Sequence, residues 1–246
     1  MRKLSLLGLG LLLLTGAGAK AAEIAVISAN GARLILEALT PGFERATGNK
    51  LTISYGEAGI LRKRILDGEA FDVALLPAGW DEIRAKLSGD PVAIGHTDFG
   101  MAVSANAPKP DTSSSDAVKR ALLAAKTIVY TDPNTGGISG VLFARMIERL
   151  GIADEVKKKS KLVAGVLNAS LVVKGEADLA VQLANEILAV PGAQFVPMPP
   201  EFRASVTFSG AIAASAKDPA AAKALLQYLT APDAAPLIKS KGYEPG

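Results

Sequence analysis

The sequence predicts an α/β fold with two lobes, each containing a mostly parallel sheet flanked by helices. Short β-branched runs alternate with longer amphipathic stretches along most of the 246 residues, a pattern typical of βαβ units. Two connectors, residues 93–110 and 196–205, have the composition of crossings between lobes. If both cross, residues 22–100 and 205–246 form the first lobe, and residues 101–204 form a second lobe inserted between them.

The predicted first lobe opens with a buried strand at residues 23–28 and a helix at residues 33–46. In that helix Leu34, Ile35, Leu39 and Phe43 recur on one face at helical spacing. Its other predicted strands are residues 51–55, 71–76 and 206–213, and its other predicted helices are residues 60–66, 80–87, 219–229 and 232–241. A further predicted strand, residues 99–104, spans the boundary between the two lobes. The last two helices have a proline near the start and an aspartate nearby, as helix N-termini prefer.

The predicted second lobe has the same alternation. Its strands are residues 127–130, 179–183 and 194–196, and its helices are residues 115–125, 138–150, 153–158, 170–174 and 185–189. Ser114 or Ser115 is the predicted N-cap of the first of these helices. Gly151 follows the second helix, where a glycine commonly ends the last turn.

The first 21 residues are predicted to be a secretory signal peptide, which makes the mature protein periplasmic. Arg2 and Lys3 precede an apolar run over residues 4–14, and A-x-A cleavage sites end at Ala19 and at Ala21. The alternative is a membrane anchor, but a spanning helix needs about 20 apolar residues and this run is far shorter.

Charge argues against a nucleic-acid partner. Residues 1–21 contain three of the 27 basic residues and no acidic one, so the remaining chain carries 24 residues of each sign. A clustered basic surface, the usual mark of nucleic-acid binding, is therefore not predicted. The basic run at residues 157–161 is interpreted as a solvated helix end.

The absence of cysteine excludes disulfides, iron–sulfur clusters and thiolate zinc sites. A single histidine, His96, excludes sites with several histidine ligands. The sequence GISGV at residues 137–141 fails the G-x-S-x-G pattern at its last position, and no phosphate-binding glycine motif occurs. We therefore predict no cofactor, no metal and no enzymatic activity; the alternative, an exported hydrolase, would depend on His96.

Small polar loops follow several predicted strands. They are residues 28–31, 55–59, 77–79, 131–140 and 166–170. Ligands of open α/β sheets bind at the carboxyl ends of strands, and glycine or serine at a helix start leaves backbone N–H groups free to bind an anion. The alternative is that these are ordinary turn residues. Arg33, one turn into its helix, is a further candidate for the site.

Several segments resemble one protein family in their order and spacing. They are EIAVISANG at residues 23–31, FERATG at 43–48, SYGEAG at 54–59, GEAFDVALLPA at 68–78, YTDP at 130–133, GEAD at 175–178, LTAP at 229–232 and KGYEP at 241–245. This combination resembles the type II periplasmic solute-binding proteins of ABC importers, and among them the molybdate-binding-protein-like group. The resemblance covers residues 23–246.

The resemblance implies a clamshell that closes by a hinge on a small anion and then docks on an ABC permease in the inner membrane. It implies a monomer and a binding site formed by loops of both lobes. The implied ligand-binding residues are Ser28, Ala29, Asn30, Gly56, Ala58, Gly59, Thr135, Gly136, Gly137, Asn168 and Leu183. Arg33 is added to them because of its position one turn into its helix. A ligand-sensing partner of a membrane receptor would share the same clamshell and is the alternative role.

Two positions depart from the resemblance. Ala58 stands where the molybdate binders usually have serine, and Leu183 stands where they usually have tyrosine. A buried Glu57 would repel an anion at a cost of several kcal/mol, so its side chain is predicted to point to solvent. With two hydroxyl donors absent, the predicted ligand is either a molybdate-like oxyanion or a small organic carboxylate.

Overall fold

The computed structural model describes residues 21–246. The predicted signal peptide lies outside the described residues, apart from Ala21 at its end. Within residues 21–246, no helix is both long enough and apolar enough to cross a bilayer.

The described residues form ten strands and nine α-helices. Most follow the predicted alternation, but the strands at residues 160–163 and 244–245 were not predicted. The strands are β1 (Glu23–Ala29), β2 (Lys50–Gly56), β3 (Val73–Leu76), β4 (Leu87–Ser104), β5 (Ile128–Thr131), β6 (Ser160–Val163), β7 (Leu179–Leu183), β8 (Ala193–Pro197), β9 (Ser205–Ala213) and β10 (Glu244–Pro245). The helices are α1 (Arg33–Thr47), α2 (Ala58–Leu66), α3 (Ser115–Ala124), α4 (Ile138–Arg149), α5 (Ala153–Lys157), α6 (Ala169–Val173), α7 (Ala184–Leu188), α8 (Pro219–Leu229) and α9 (Ala235–Ser240). The predicted helix at residues 80–87 is a 3-10 helix, Trp80–Lys86.

Two sheets share strand β4. The first sheet has the order β2-β1-β3-β9-β4, with β10 also paired to β4, and the second sheet has the order β4-β7-β5-β6, with β8 also paired to β4. Within them, β2-β1-β3 and β6-β5-β7 are parallel, whereas β4 and β9 pair antiparallel with their neighbours. The predicted α/β class is confirmed, and the parallel strands of each sheet end at one edge.

Strand β4 replaces much of the connector predicted at residues 93–110. The prediction placed only residues 99–104 in a strand, but the strand begins at Leu87. Its register passes from the first sheet to the second between two adjacent residues: Asp98 pairs with Ser205 of β9, and Phe99 pairs with Leu183 of β7. The first half of this strand is largely exposed and therefore contains many polar and glycine residues. It lacks the apolar pattern from which strands were predicted. The lobe boundaries remain a prediction.

The apolar face predicted for α1 packs into the core. Ile35, Leu39 and Phe43 are buried, and Leu36 joins them. Leu34 is only partly buried because it lies at the cavity described below. The Phe43 ring meets Tyr228 of α8 edge to face at 5.6 Å between centroids, which joins the first and last long helices of the chain.

Three predicted helix ends are found as expected, whereas the helix predicted from residue 232 starts as a 3-10 turn, Pro232–Ala234, before α9. Ser114 is the N-cap of α3 and accepts a hydrogen bond from the backbone N–H of Ala117. Gly151, just after α4, has a φ of 66°, in the left-handed region that glycine adopts without strain. Asp218 caps α8, and Pro219 occupies its first turn.

The basic run near α5 serves the fold. The ammonium of Lys159 donates hydrogen bonds to the carbonyl oxygens of Leu123 and Ala125, each at 2.6 Å. Lys161 donates to the carbonyl oxygen of Glu176 at 2.9 Å. Lys159 thus binds carbonyls at the end of α3, and Lys161 belongs to strand β6. Lys157 and Lys158, at the end of α5, are exposed, as the interpretation as a solvated helix end expects.

Candidate functional site

A cavity of about 300 Å³ lies where the carboxyl ends of the two sheets face each other. The first sheet contributes a wall from the ends of β1, β2 and β3 and the segments that follow them, together with Phe208 of β9. Its lining residues are Ala29, Asn30, Gly31, Arg33, Leu34, Glu37, Glu57, Ala58, Pro77 and Phe208. The second sheet contributes a wall from the loops after β5, β6 and β7; its lining residues are Thr131, Ile138, Ser139, Gly165, Val166, Leu167, Gln182, Leu183 and Glu186. Parallel strands produce this arrangement because their ends share an edge.

Two long helices begin at the cavity. Ala58, the first residue of α2, and Ile138, the first residue of α4, both line it. Neither helix has a side-chain cap: the N-cap of α4 is Gly137, and the Glu57 side chain does not cap α2. The first-turn N–H groups of both helices therefore lack side-chain acceptors, and they carry the positive end of a helix dipole. Such ends favour an anion.

Arg33 supplies the positive charge of the lining. Its guanidinium lies over the Tyr55 ring at 4.0 Å from the centroid, and its Nη2 donates to Asn30 Oδ1 at 3.4 Å. Its Nη1 is 3.7 Å from Glu37 Oε1. Burial, and then the Glu37 carboxylate, raise the pKa of Tyr55 to about 12 against the opposing effect of Arg33. Tyr55 therefore remains a neutral support that orients the guanidinium.

Glu57 lines the cavity, so the prediction that it points to solvent is wrong. Its Oε1 accepts a hydrogen bond from Asn30 Nδ2 at 3.0 Å. The backbone N–H of Gly165 also approaches this oxygen, at 3.4 Å. Asn30 belongs to the first wall and Gly165 to the second. Their hydrogen bonds replace the bonds to water that the Glu57 carboxylate loses in the cavity. Glu57 therefore links the two walls.

A chain of polar side chains underlies the second wall. The Ser139 hydroxyl donates to Thr131 Oγ1 at 3.4 Å, and Asn168 Nδ2 donates to the same oxygen at 3.3 Å and to the carbonyl of Val181 at 3.0 Å. Gln182 Oε1 accepts from the backbone N–H of Ala169 at 3.2 Å. These bonds hold the Thr131 and Gln182 side chains in fixed positions at the cavity surface.

Glu186, in the first turn of α7, adds a second carboxyl group to the cavity. Its Oε2 accepts from the backbone N–H of Leu183 at 3.4 Å. Burial is the largest cause that raises the pKa of Glu186 to about 7, and the Glu57 carboxylate adds to the increase. Hydrogen bonding with Leu183 and Gln182 opposes it. Both the protonated and the ionised form of Glu186 are therefore populated near neutral pH.

The structure brings five predicted ligand residues to the cavity surface and leaves the others behind it or at its edge. The five are Ala29, Asn30, Arg33, Ala58 and Leu183. Seven predicted residues do not line it: Ser28, Gly56, Gly59, Thr135, Gly136, Gly137 and Asn168.

Each of these seven has a structural partner. The Ser28 hydroxyl donates to the carbonyl of Ala29 at 3.2 Å, and the Thr135 hydroxyl donates to that of Asp132 at 2.7 Å. Asn168 is fully buried behind Thr131. The glycines are packed closely: a methyl group would meet Leu61 at Gly56, the Thr131 methyl at Gly137, and the opposite glycine at Gly59 or Gly136.

Several residues that line the cavity were not predicted from the sequence. Glu186 could have been predicted, because it lies in the first turn of the helix directly after β7, and ligands of α/β sheets bind at the carboxyl ends of strands. Nothing in the sequence marked Phe208 as a cavity residue, since it is one of several apolar residues inside β9. Its ring lies under Gly31, where a methyl group would approach within 2.5 Å of the ring.

No metal site is found among residues 21–246, where no group of three or more His, Cys, Asp or Glu residues is placed to hold an ion. His96 lies in β4, paired with Thr207 of β9 and with Glu244 of β10, and it is not among the cavity residues. A hydrolase that uses His96 would have to act elsewhere than in this cavity.

Two facing α/β sheets that share a strand, with a cavity at their carboxyl ends, define the type II class of periplasmic solute-binding proteins. The chain belongs to the bacterial extracellular solute-binding protein family, whose model matches residues 24–244. The predicted family is thereby confirmed, and the family description agrees with the predicted export.

Two curated relatives cover nearly the whole chain. A Pseudomonas protein named aconitate isomerase is 33% identical over 99% of this chain and 97% of its own length. The molybdate-binding protein of Azotobacter vinelandii is 28% identical over 96% of this chain and 94% of its own. One is named as an enzyme and the other as a binding protein.

Solved structures share the fold. The periplasmic molybdate-binding protein of Azotobacter vinelandii aligns with a TM-score of 0.69 at 21% identity, over 89% of this chain and 98% of that one. The sulfate-binding protein SubI of Mycobacterium tuberculosis aligns with a TM-score of 0.73 at 19% identity, over 91% of this chain and 87% of that one.

Proposed function

We propose that this protein captures a small organic carboxylate in the cavity between its two sheets. The observation that carries the proposal is the lining: helix starts without side-chain caps and Arg33 share the cavity with an apolar surface from Leu34, Ile138, Leu183 and Phe208. The helix starts and Arg33 suit carboxylate oxygens. The apolar residues suit a carbon skeleton, which an inorganic oxyanion lacks.

Cavity size also supports an organic ligand. About ten waters, at roughly 30 Å³ each, would fill 300 Å³. A tetrahedral oxyanion has five heavy atoms, half as many as those waters, and would leave much of that space unfilled. Ala58 and Leu183 provide no hydroxyl donors to hold such an ion tightly. The relative named for aconitate, an unsaturated tricarboxylate, points to the same ligand class.

In this proposal the protein works in the periplasm as a monomer, after cleavage near Ala19 or Ala21, and delivers its ligand to an ABC permease. Residues 22–100 and 205–246 form one lobe and residues 101–204 the other. The lobes close by bending where β4 changes sheets and at the second crossing, driven by a ligand that contacts both walls. Service to a membrane receptor is the alternative role, and a permease gene beside this one would favour transport.

Calorimetry on the mature protein tests the ligand class. The panel is citrate, succinate, cis-aconitate, trans-aconitate, molybdate, tungstate and sulfate. We expect at least one carboxylate to bind more than tenfold tighter than every inorganic ion, a difference of about 1.4 kcal/mol or more. Tighter binding of molybdate or sulfate would contradict the proposal, and so would the absence of binding by any member of the panel.

A second candidate function is the isomerisation of a bound unsaturated carboxylate. It is favoured by the carboxyl groups of Glu57 and Glu186 in one cavity and by the name of the 33% identical relative. Moving a double bond requires a group that takes a proton from one carbon and returns a proton to another. A carboxyl group that titrates near neutral pH suits both steps.

Proton NMR in D₂O separates this candidate from binding alone. If the protein isomerises its ligand, either pure aconitate isomer becomes a mixture and takes up deuterium, at a rate proportional to protein concentration. Glu186→Gln should abolish conversion, whereas His96→Ala should not change it. Binding without conversion of either isomer would leave capture as the function.

Gly59→Ala is expected to weaken binding by about tenfold without destabilising the free protein. A methyl group at Gly59 would lie 2.8 Å from Gly136 Cα and 3.0 Å from the Thr135 carbonyl oxygen, where the walls touch. Closure would then cost on the order of 1–3 kcal/mol. In an open form the same alanine favours helix α2 by about 0.5–1 kcal/mol.

Titration calorimetry and thermal unfolding without ligand measure the two effects of Gly59→Ala separately. Ile60→Ala is the matched control, because the adjacent Ile60 side chain is exposed on the same helix. Unchanged affinity in Gly59→Ala would show that the contact between Gly59 and Gly136 is not needed for the bound state.

A further inference from the structure

The Glu186 carboxyl faces the cavity without a cationic partner. Within residues 21–246 it takes part in no ion pair, and the guanidinium of Arg33 is engaged with Tyr55, Asn30 and Glu37. A site built for an anion therefore contains a carboxyl group that would repel the anion whenever it is ionised. The charges of this cavity are thus incompletely matched unless Glu186 is protonated in the complex.

The other titratable groups around Glu186 do not supply the missing positive charge. Glu57 at the start of α2 and Glu37 on α1 are acidic, and both line the cavity. Tyr243, from the C-terminal segment, is close enough for Glu186 to raise its pKa, although burial is the larger cause. The Tyr243 hydroxyl donates its proton to the carbonyl of Gly31 at 2.6 Å, so it does not donate a hydrogen bond to Glu186.

We propose that protonated Glu186 is a ligand-binding residue that donates its carboxyl O–H to an oxygen of the bound carboxylate, so that the protein takes up as much as one proton with each anion, depending on pH. The proposal rests on capture of a small carboxylate in this cavity. No bond to carbon changes: the proton comes from solvent and remains on Glu186 while the ligand is bound.

The protonated form of Glu186 interacts with a bound carboxylate more favourably than the ionised form does. An ionised Glu186 would place two carboxylates side by side in a partly buried site, whereas the protonated form makes a short, charge-assisted O–H···O⁻ hydrogen bond. A carboxylic acid kept neutral by its surroundings can therefore act as a hydrogen-bond donor at neutral pH. Burial and Glu57 already favour the neutral form before ligand arrives.

The sign of the pH dependence follows from linkage. Because the ligand adds negative charge, it raises the pKa of Glu186 above the value of about 7 in the free protein. Affinity is then greatest below that value and falls as pH rises through it, by up to about tenfold per pH unit. The fall ends when pH exceeds the pKa of Glu186 in the complex.

Calorimetry with the tightest-binding carboxylate of the panel tests the proposal. Titrations near pH 7.5 in HEPES and in Tris, whose ionisation heats differ, give the number of protons taken up per ligand. We expect more than about half a proton in the wild type and a Kd that rises several-fold between about pH 6.5 and pH 8. Glu186→Gln should still bind, with proton uptake near zero and a Kd that no longer depends on pH in this range.

Two further variants keep the test decisive. Glu57→Gln removes one cause of the raised pKa, so the fall in affinity should begin at lower pH. Glu155→Gln, at an exposed position of α5, should behave as the wild type. Binding by the wild type without proton uptake would overturn the proposal, as would uptake that persists in Glu186→Gln. Absence of binding by every carboxylate would instead refute the proposed function.

Discussion

Gly140→Ala is expected to lower the free energy of unfolding by about 3 kcal/mol or more, which corresponds to a fall in melting temperature of roughly 6–12 °C for a chain of this size. A methyl group at this position of α4 would lie 2.0 Å from the Thr131 carbonyl oxygen and 2.9 Å from its carbonyl carbon. These are backbone atoms at the end of β5, so no rotation of a side chain relieves the clash. The helix has to move away from the sheet.

Gly42→Ala is the matched control for this prediction. Gly42 also lies within a helix, α1, and a methyl group there would meet only the hydroxyl end of Tyr228, a side chain that can rotate. We expect its stability to change by less than about 1 kcal/mol, since alanine favours the helix. Chemical denaturation of both variants measures the difference. Equal stability of Gly140→Ala and wild type would show that α4 does not need its close approach to β5.

Arg33→Gln is expected to weaken carboxylate binding by about 10- to 150-fold while the fold remains intact. Among the cavity residues described, Arg33 is the one with a permanent positive charge. A hydrogen bond to a charged group contributes about 1.5–3 kcal/mol, which gives that range of affinity. The side chain is 43% exposed, so the loss should fall mainly on binding.

Arg62→Gln provides the control for Arg33→Gln. Arg62 pairs with Glu82 at 3.2 Å, and its Nη1 donates to the carbonyl of Ala78 at 3.1 Å, outside the cavity lining. Calorimetry should therefore find wild-type affinity in Arg62→Gln and reduced affinity in Arg33→Gln. An equal loss in both variants would indicate a general effect of net charge, and no loss in either would remove Arg33 from the site.

The sequence predicted much of the fold because local chemistry specifies it. The helical spacing of Ile35, Leu39 and Phe43, the cap at Ser114 and the turn at Gly151 each depend on residues close together in the chain. Strand β4 was only partly predicted. Its first half is stabilised by pairing with the distant strand β9, which composition near residue 90 does not reveal.

The same distinction applies to the candidate site. The loops after β1, β2, β3, β5 and β6 were predicted, and the resemblance implied Leu183 at the end of β7. Of the predicted residues, Ala29, Asn30, Arg33, Ala58 and Leu183 line the cavity. The side chains of Glu57 and Glu186 were misjudged or missed, because an acidic residue in a loop is usually solvated. Only the opposite wall shows that Glu57 has a donor at Gly165 and that Glu186 lies in a shared cavity.

The sequence by itself determined the class of this protein: alternating strands and helices, and small polar loops at the ends of several parallel strands. These features follow from side-chain periodicity and turn chemistry within about ten residues. The tertiary structure alone decided the electrostatics of the cavity, since it brings the carboxyl groups of Glu57 and Glu186 together across more than 100 residues of chain. Burial and charge act through space, so their effect on Glu186 exists only once the two sheets face each other.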